Sequence, residues 1–193
     1  RVKMSSEEVH MYTVKLGDNF CLYFEELECD AFCKSNTLSK VLRNVHSQLL
    51  VVRPDLNEAA FENMTDHEME TGNGTSLDVH YYDSSTDTPP AGKPVAFTIR
   101  VKNKCYYMCC EEECGKMIVR FREGEVPTLI PDKSNAIFFR TKFTSSSPTA
   151  YKFEYSLEQG MFLAFEEEGN LRKLILKKVA TEDEVDETMK MSL

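Results

Sequence analysis

Apolar and polar residues alternate in short runs along most of this sequence, from about residue 38 to its last residue. A period of two places successive side chains on opposite faces of an extended chain, so the pattern predicts β-strands rather than helices. In the run Lys173–Lys178, it predicts that Leu174 and Leu176 face the core. Gly, Pro and Asn residues separate the runs at intervals typical of hairpins. Twelve strands are predicted, at Ser39–Asn44, Leu49–Arg53, Ala60–Glu62, Ser76–Tyr82, Val95–Lys102, Tyr106–Glu111, Met117–Arg122, Ala136–Thr144, Tyr151–Tyr155, Phe162–Glu166, Lys173–Lys178 and Met189–Leu193.

So many short strands must close on themselves or pack in two layers, because an uncovered strand edge pairs with other chains. The sequence therefore predicts an all-β fold, either a closed antiparallel barrel or a sandwich. Helical periodicity is scarce. Helical turns are predicted only at Asp66–Glu70 and within residues 5–16, where Ser5 and Ser6 provide capping side chains.

The charge balance narrows the range of partners. The net charge is −9, of which residues 1–30 contribute −4, with seven Asp or Glu against three Lys or Arg. An acidic chain has no sequence-independent attraction for nucleic acid or for an anionic membrane. The apolar run Phe20–Phe24 is too short for the core of a secretory signal, and no run is long enough to span a bilayer. We expect no nucleic-acid partner, no membrane insertion and no signal peptide.

The seven cysteines are odd in number and unevenly spaced, which predicts mostly reduced thiols in a protein made in the cytosol. The most metal-like cluster runs from Cys105 to Cys114. However, Cys109 and Cys110 are adjacent on a predicted strand and point to opposite faces, so the cluster cannot easily converge on zinc. Enzyme motifs are absent, and the four histidines are isolated from one another in sequence. We expect a binding protein, not an enzyme, with no cofactor or metal.

The segment from Leu27 to Lys34 separates the acidic first thirty residues from the long run of strands. It contains Leu27-Glu28-Cys29-Asp30 followed by the small residue Ala31. A caspase requires an Asp carboxylate before the cut, which its pocket holds with charge-assisted Arg bonds, and a small residue after it. The motif therefore predicts cleavage between Asp30 and Ala31, a propeptide at 1–30 and one domain at 31–193. The simpler alternative is a solvated acidic linker.

A second caspase-like motif is Asp183-Glu184-Val185-Asp186 near the C-terminal end. The bulky charge of Glu187 after Asp186 disfavours cleavage there. A cut after Asp186 would release the last predicted strand and should inactivate the domain. The alternative interpretation is an ordinary exposed, charged loop.

Six segments of the sequence match a known pattern, at Val41–Val45, Phe61–Asp66, Ala136–Phe139, Phe153–Ser156, Gly160–Ala164 and Lys173–Lys178. On these residues the chain resembles the interleukin-1 family of β-trefoil cytokines. The resemblance implies a β-trefoil of twelve short antiparallel strands. It also implies a cytoplasmic precursor that an inflammatory caspase cuts and that is secreted without a signal peptide.

The resemblance further implies a pro-inflammatory, monomeric cytokine that induces interferon-gamma. Its implied partners are two immunoglobulin-type receptor chains, alpha and beta, and a soluble binding protein. Arg43, Met64 and Asp66 match positions of the first receptor contact, and Lys34 and Lys93 match basic positions nearby.

Two questions stay open at the level of sequence. The function could instead be that of another binding β-trefoil, such as a growth-factor-like ligand or a protease inhibitor. The alternating residues Phe20, Leu22, Phe24 and Leu27 suggest that the propeptide packs on the domain and hides part of the receptor surface. The alternative is a disordered leader.

Overall fold

The predicted alternation forms strands throughout the computed structural model, which describes residues 11–16, 22–26, 31–71, 73–84, 92–131, 134–181 and 185–193. The strands of these segments are β1 Met11–Leu16, β2 Leu22–Glu26, β3 Ala31–Lys40, β4 Leu49–Arg53, β5 Glu58–Glu62, β6 Leu77–Ser84, β7 Lys93–Val101, β8 Lys104–Glu113, β9 Lys116–Glu123, β10 Leu129–Pro131, β11 Phe138–Lys142, β12 Tyr151–Tyr155, β13 Met161–Glu168 and β14 Leu171–Lys178. One helix, α1, spans Asp66–Thr71, and short 3₁₀ helices lie at Pro54–Leu56 and Glu187–Met189.

Strands β1 and β2 form a sheet of their own. They pair antiparallel, with Met11 opposite Glu26 and Leu16 opposite Leu22. The predicted helical turn within residues 5–16 is therefore wrong for Met11–Leu16, where backbone pairing with β2 overrides the weak local capping signal. The proposed packing of Phe20–Leu27 on the main domain falls partly outside the described residues, and Leu22–Glu26 takes its ladder partner from β1.

The other twelve strands form one antiparallel sheet that closes into a barrel. Six strand-like segments form the wall of the barrel. Five of them are β3, β6, β7, β11 and β12, each paired with the next. Residues 186–193, here named the closing segment, complete the ring through isolated bridges from Met191 to Tyr151 and from Ser192 to Arg43. Three hairpins, β4–β5, β8–β9 and β13–β14, are added to this barrel. A barrel of six such segments with three added hairpins is a β-trefoil, as the resemblance implied.

Two predicted strands need correction. The first predicted strand, Ser39–Asn44, is wrong, because β3 runs from Ala31 to Lys40. A bulge between Lys34 and Asn36 breaks the period of two along β3, so alternation could not reveal it. The last predicted strand, Met189–Leu193, is a 3₁₀ turn followed by two single bridges.

The core lies inside the barrel and under the hairpins. Its main cluster contains large side chains with essentially no exposed surface, and the rings of Phe97 and Phe153 meet edge to face with centroids 5.3 Å apart. Leu174 and Leu176 are buried, as the pattern of β14 predicted. Met117, Val119 and Phe121 of β9 are only partly buried against this cluster, because β9 pairs with β8 alone.

Candidate functional site

Helix α1 carries part of the predicted receptor surface, and a capping box stabilises its first turn. The Thr65 backbone N–H and hydroxyl donate to the Glu68 carboxylate at 2.8 and 2.9 Å, and the Glu68 N–H donates to the Thr65 hydroxyl at 3.3 Å. These hydrogen bonds lower the pKa of Glu68. Met64, half-buried, and Asp66, exposed, flank the capping residue on either side.

Arg43 joins this helix to the barrel. Its guanidinium donates to the Ser47 carbonyl oxygen at 3.1 Å and contacts the Met69 sulfur of α1 at 3.8 Å. Its backbone is bridged to both Leu49 and Ser192. Arg43 is half-buried and held in place on three sides. Arg43, Met64, Asp66 and Met69 are named the α1 patch.

Lys34 and Lys93 do not join the α1 patch. Lys34 lies near the start of β3, and the six residue steps from Lys34 to Lys40 span about 20 Å. The Lys34 ammonium donates to the Val126 carbonyl oxygen at 3.0 Å. The Lys93 ammonium pairs with Asp83 at 2.6 Å, and Asp83 lies opposite Cys33 on β3. The partners of the two lysines, Val126 and Asp83, thus lie outside the α1 patch.

Beside Lys34, a half-buried, hydrogen-bonded histidine lines a cavity of about 180 Å³. The two ring nitrogens of His80 meet the Thr37 hydroxyl at 2.8 Å and the Thr98 hydroxyl at 2.7 Å. Burial, followed by the charge of Lys34, lowers the pKa of His80. The neutral ring therefore links β3, β6 and β7 through two side-chain hydrogen bonds.

A second cluster, of half-buried surface residues, was missed from the sequence. The Arg140 guanidinium carbon lies 5.2 Å from the ring centroid of Tyr81 and 4.6 Å from that of Tyr151. The guanidinium donates to the Tyr81 hydroxyl at 3.5 Å, and among the described residues it has no carboxylate partner. Lys93 is directly opposite Arg140 in the β7–β11 ladder. Tyr and Arg are enriched at protein interfaces. Tyr81, Arg140 and Tyr151, named the tyrosine patch, therefore form a second candidate contact surface.

The tyrosine patch could not be predicted from the sequence. Its three members lie on β6, β11 and β12 and meet only through strand pairing. In the sequence, Tyr81 and Arg140 are 59 positions apart. The local pattern around each residue is that of an ordinary strand.

The first predicted cleavage residue, Asp30, lies outside the described residues, whereas Ala31 is the first residue of β3. The second, Asp186, has an engaged side chain. Its carboxylate accepts hydrogen bonds from the Thr188 N–H at 3.0 Å and hydroxyl at 2.6 Å, and it pairs with Lys177. Burial raises the pKa of Asp186, but these partners outweigh that effect and leave the pKa below its ordinary value.

The predicted metal-like cysteines diverge as expected from strand geometry. Cys110 packs in the main core cluster, and Cys109 packs in a second cluster with Phe32 and Tyr82. Burial raises the pKa of Cys109 to about 11, while Cys114 is exposed in the β8–β9 turn. Within the described segments, no group of three or more possible ligands could hold a metal ion.

Comparison with known proteins identifies the family. The family described as Interleukin-1 / 18 matches residues 68–189. Interleukin-18 of chicken (Gallus gallus) is 65% identical over 187 residues, which cover 97% of this chain and 94% of that protein. The chain belongs to the interleukin-1/18 family. Human interleukin-18 is 32% identical over 183 residues, covering 92% of this chain and 88% of that protein.

Solved structures agree with the fold. Chicken interleukin-1 beta has a TM-score of 0.59 at 16% identity, covering 83% of this chain and 97% of that one. Interleukin-36alpha has a TM-score of 0.50 at 14% identity, covering 88% and 99%. At such low identity these likenesses concern the fold alone, and they identify it as the β-trefoil of interleukin-1 family cytokines.

Membership of this family decides between the functions that the sequence left open. The relatives are interleukin-18 cytokines rather than growth factors, inhibitors or enzymes. The chain is therefore a pro-inflammatory cytokine that acts by binding receptors, as the resemblance implied. Among the described residues, no helix is long and apolar enough to cross a membrane.

Proposed function

We propose that this chain is the precursor of an interleukin-18-type cytokine, cut by an inflammatory caspase between Asp30 and Ala31. The observation that carries the proposal is the 65% identity to chicken interleukin-18 over 97% of the chain, which takes in most of residues 1–30 as well as the trefoil. The first trefoil strand begins at Ala31, so a cut there leaves the main sheet whole. Residues 31–193 are then the mature cytokine domain.

The mature domain brings together the alpha and beta chains of the interleukin-18 receptor, and the result is inflammatory signalling with induction of interferon-gamma. The α1 patch supplies the first receptor contact, through Arg43, Met64 and Asp66. Lys34 and Lys93 contribute a second, basic contact beside the tyrosine patch. Charge pairs at such surfaces set specificity and association rate. A soluble interleukin-18-binding protein competes for the same surface.

The precursor is cytoplasmic and the mature form is extracellular, secreted without a signal peptide. It acts as a monomer, without nucleic-acid or membrane partners. A cut after Asp186 by a second caspase inactivates it, because residues 187–193 complete the barrel.

The test combines cleavage with signalling. The chain is treated with an inflammatory caspase, the new amino terminus is sequenced, and interferon-gamma release from receptor-bearing cells is measured before and after. We expect Ala31 as the new terminus and activity only after cleavage, with Asp30→Asn as the uncut control. Cleavage elsewhere, or equal activity of the uncut Asp30→Asn chain, contradicts the proposal.

The same samples test masking by the propeptide. If residues 1–30 cover receptor-contacting residues, the Asp30→Asn chain binds the isolated receptor alpha chain more weakly than the cut chain does. Equal binding by the two chains contradicts masking.

A further inference from the structure

The barrel closes through two neighbouring residues of the closing segment. Each is hydrogen-bonded to a residue of a different candidate receptor patch. Met191 exchanges two backbone hydrogen bonds with Tyr151 of the tyrosine patch, at 2.7 and 2.9 Å. Ser192 exchanges two with Arg43 of the α1 patch, at 2.9 and 3.0 Å. The positions of Arg43 and Tyr151 relative to each other are therefore set through this segment.

The closing segment is thinly packed at its start. A cavity of about 470 Å³ lies there, with Phe143, Phe162 and Met189 among its lining residues. Only Met189 and Met191 of the segment are buried, with 4% and 1% of their surface exposed. A segment with few buried apolar contacts opens locally at low free-energy cost unless polar contacts hold it.

Asp186 provides such polar contacts at the start of the segment. One carboxylate oxygen caps the 3₁₀ turn Glu187–Met189 by accepting from the Thr188 N–H and hydroxyl. The other oxygen pairs with Lys177 of β14, and only 14% of the Asp186 side chain is exposed. The carboxylate thereby joins the closing segment to a regular strand of the sheet.

We propose that Asp186 is a positioning residue for receptor binding, which holds the closing segment so that Arg43 and Tyr151 keep one relative placement. The inference rests on the proposed function, because it takes both patches as receptor contacts. Its first part, the tethering of the segment, concerns the fold alone and is measured separately. The Asp183–Asp186 motif, which suggested a cleavage site, thus contains a residue that stabilises the barrel closure.

The experiment compares Asp186→Ala, Asp186→Asn and Lys177→Met in the full chain. Asn retains a capping oxygen but loses the charge, and Lys177→Met removes only the ion pair. The matched control is Lys178→Met, which deletes the neighbouring exposed lysine and its ion pair with Glu158. Amide hydrogen exchange is followed at Arg43, Tyr151, Met191 and Ser192, and receptor alpha-chain binding is measured after caspase treatment.

We expect Asp186→Ala to exchange roughly tenfold faster at these four amides and to bind the alpha chain about fivefold more weakly. Amides of the β6–β7 ladder remain unchanged, a localisation that a general loss of stability does not produce. Asp186→Asn and Lys177→Met lie between Asp186→Ala and the unaltered chain, and Lys178→Met matches the unaltered chain.

Unchanged exchange at the four amides in Asp186→Ala overturns the inference, as does faster exchange with unchanged binding. If Asp186→Ala does not fold, Lys177→Met carries the same comparison. If the unaltered, cut chain does not bind the alpha chain, the proposed function fails and the positioning role fails with it. The exchange data then still decide whether Asp186 tethers the segment.

Discussion

At the scale of single residues, Arg140 is the most informative side chain that the sequence did not identify. Its guanidinium lies between the rings of Tyr81 and Tyr151, and cation–π contacts of this kind contribute about 0.5–1 kcal/mol each at exposed sites. The stacked guanidinium keeps donors available for a carboxylate on a partner.

We predict that Arg140→Met weakens binding to the receptor alpha chain by about tenfold, because it removes a preorganised donor from the centre of the tyrosine patch. Arg140→Lys restores only part of the affinity, since an ammonium lacks the planar fork. Surface plasmon resonance on the caspase-treated chain measures both. Arg100→Met removes an exposed arginine that is paired with Glu125 and serves as control. Equal affinities for the Arg140→Met and Arg100→Met chains contradict the prediction.

His80 is the residue through which acid should act on stability. Its pKa in the folded chain is lowered, so the unfolded chain binds a proton first as the pH falls below about 6.5. The contribution of His80 to stability is present above that pH and is lost as the pH falls towards the folded pKa.

We predict that the free energy of unfolding, measured by urea titration, decreases less between pH 7 and pH 5 in His80→Gln than in the unaltered chain. His67→Gln, which changes an exposed histidine of α1, serves as control. If the unfolding free energy of His80→Gln depends on pH in the same way as that of the unaltered chain, the prediction is wrong.

At the scale of elements, the turns decide how the hairpins close. Both residues of the β8–β9 turn, Cys114 and Gly115, have positive φ, as a type I′ hairpin turn requires. Gly74, which precedes β6, has φ +92°, and a Cβ there would lie 2.4 Å from the Val52 carbonyl oxygen. A Cβ on Gly115, at φ +77°, would meet no atom within 4 Å.

The two glycines therefore form a matched pair. We predict that Gly115→Ala costs about 1 kcal/mol for the left-handed backbone alone, whereas Gly74→Ala costs ~3 kcal/mol because the Val52 backbone must also shift. Urea denaturation of both variants gives the comparison. Equal losses of unfolding free energy show that the close approach at Gly74 has no energetic consequence.

At the scale of the whole molecule, folding should determine which bond a caspase cuts. A protease needs an extended, accessible backbone, and the Asp186 carboxylate is engaged with Thr188 and Lys177 before the 3₁₀ turn. We predict that an executioner caspase cuts a synthetic peptide of residues 179–193 after Asp186 at least tenfold faster than it cuts the folded chain there, since cleavage of the folded chain must await local opening.

Mass spectrometry of timed digests measures both rates. Lys178→Met serves as the variant with an undisturbed closing segment, and Lys177→Met should increase the rate in the folded chain. Similar rates for peptide and folded chain mean that the closing segment does not protect the bond.

Local pattern predicted the features that local forces control. The period of two located β12 to the residue and most hairpin strands within a few residues, and it assigned Leu174 and Leu176 to the core. The polar stretch Asp66–Glu70 was identified as helical, and α1 spans Asp66–Thr71 with a capping box formed by neighbours in sequence. The residues that carry the family resemblance were also readable without a structure.

The sequence by itself determined an all-β chain, its hairpins and its family. Only the tertiary structure decided where β3 begins, how the barrel closes and which cations form patches. In β3, the adjacent residues Phe32 and Cys33 are both buried while Leu38 is 42% exposed, a pattern that alternation does not predict. The closing segment and the tyrosine patch depend on contacts between residues far apart in the chain. The physical reason is that periodicity records which face of a strand is buried, whereas the identity of its neighbours is set by strand pairing across the whole barrel.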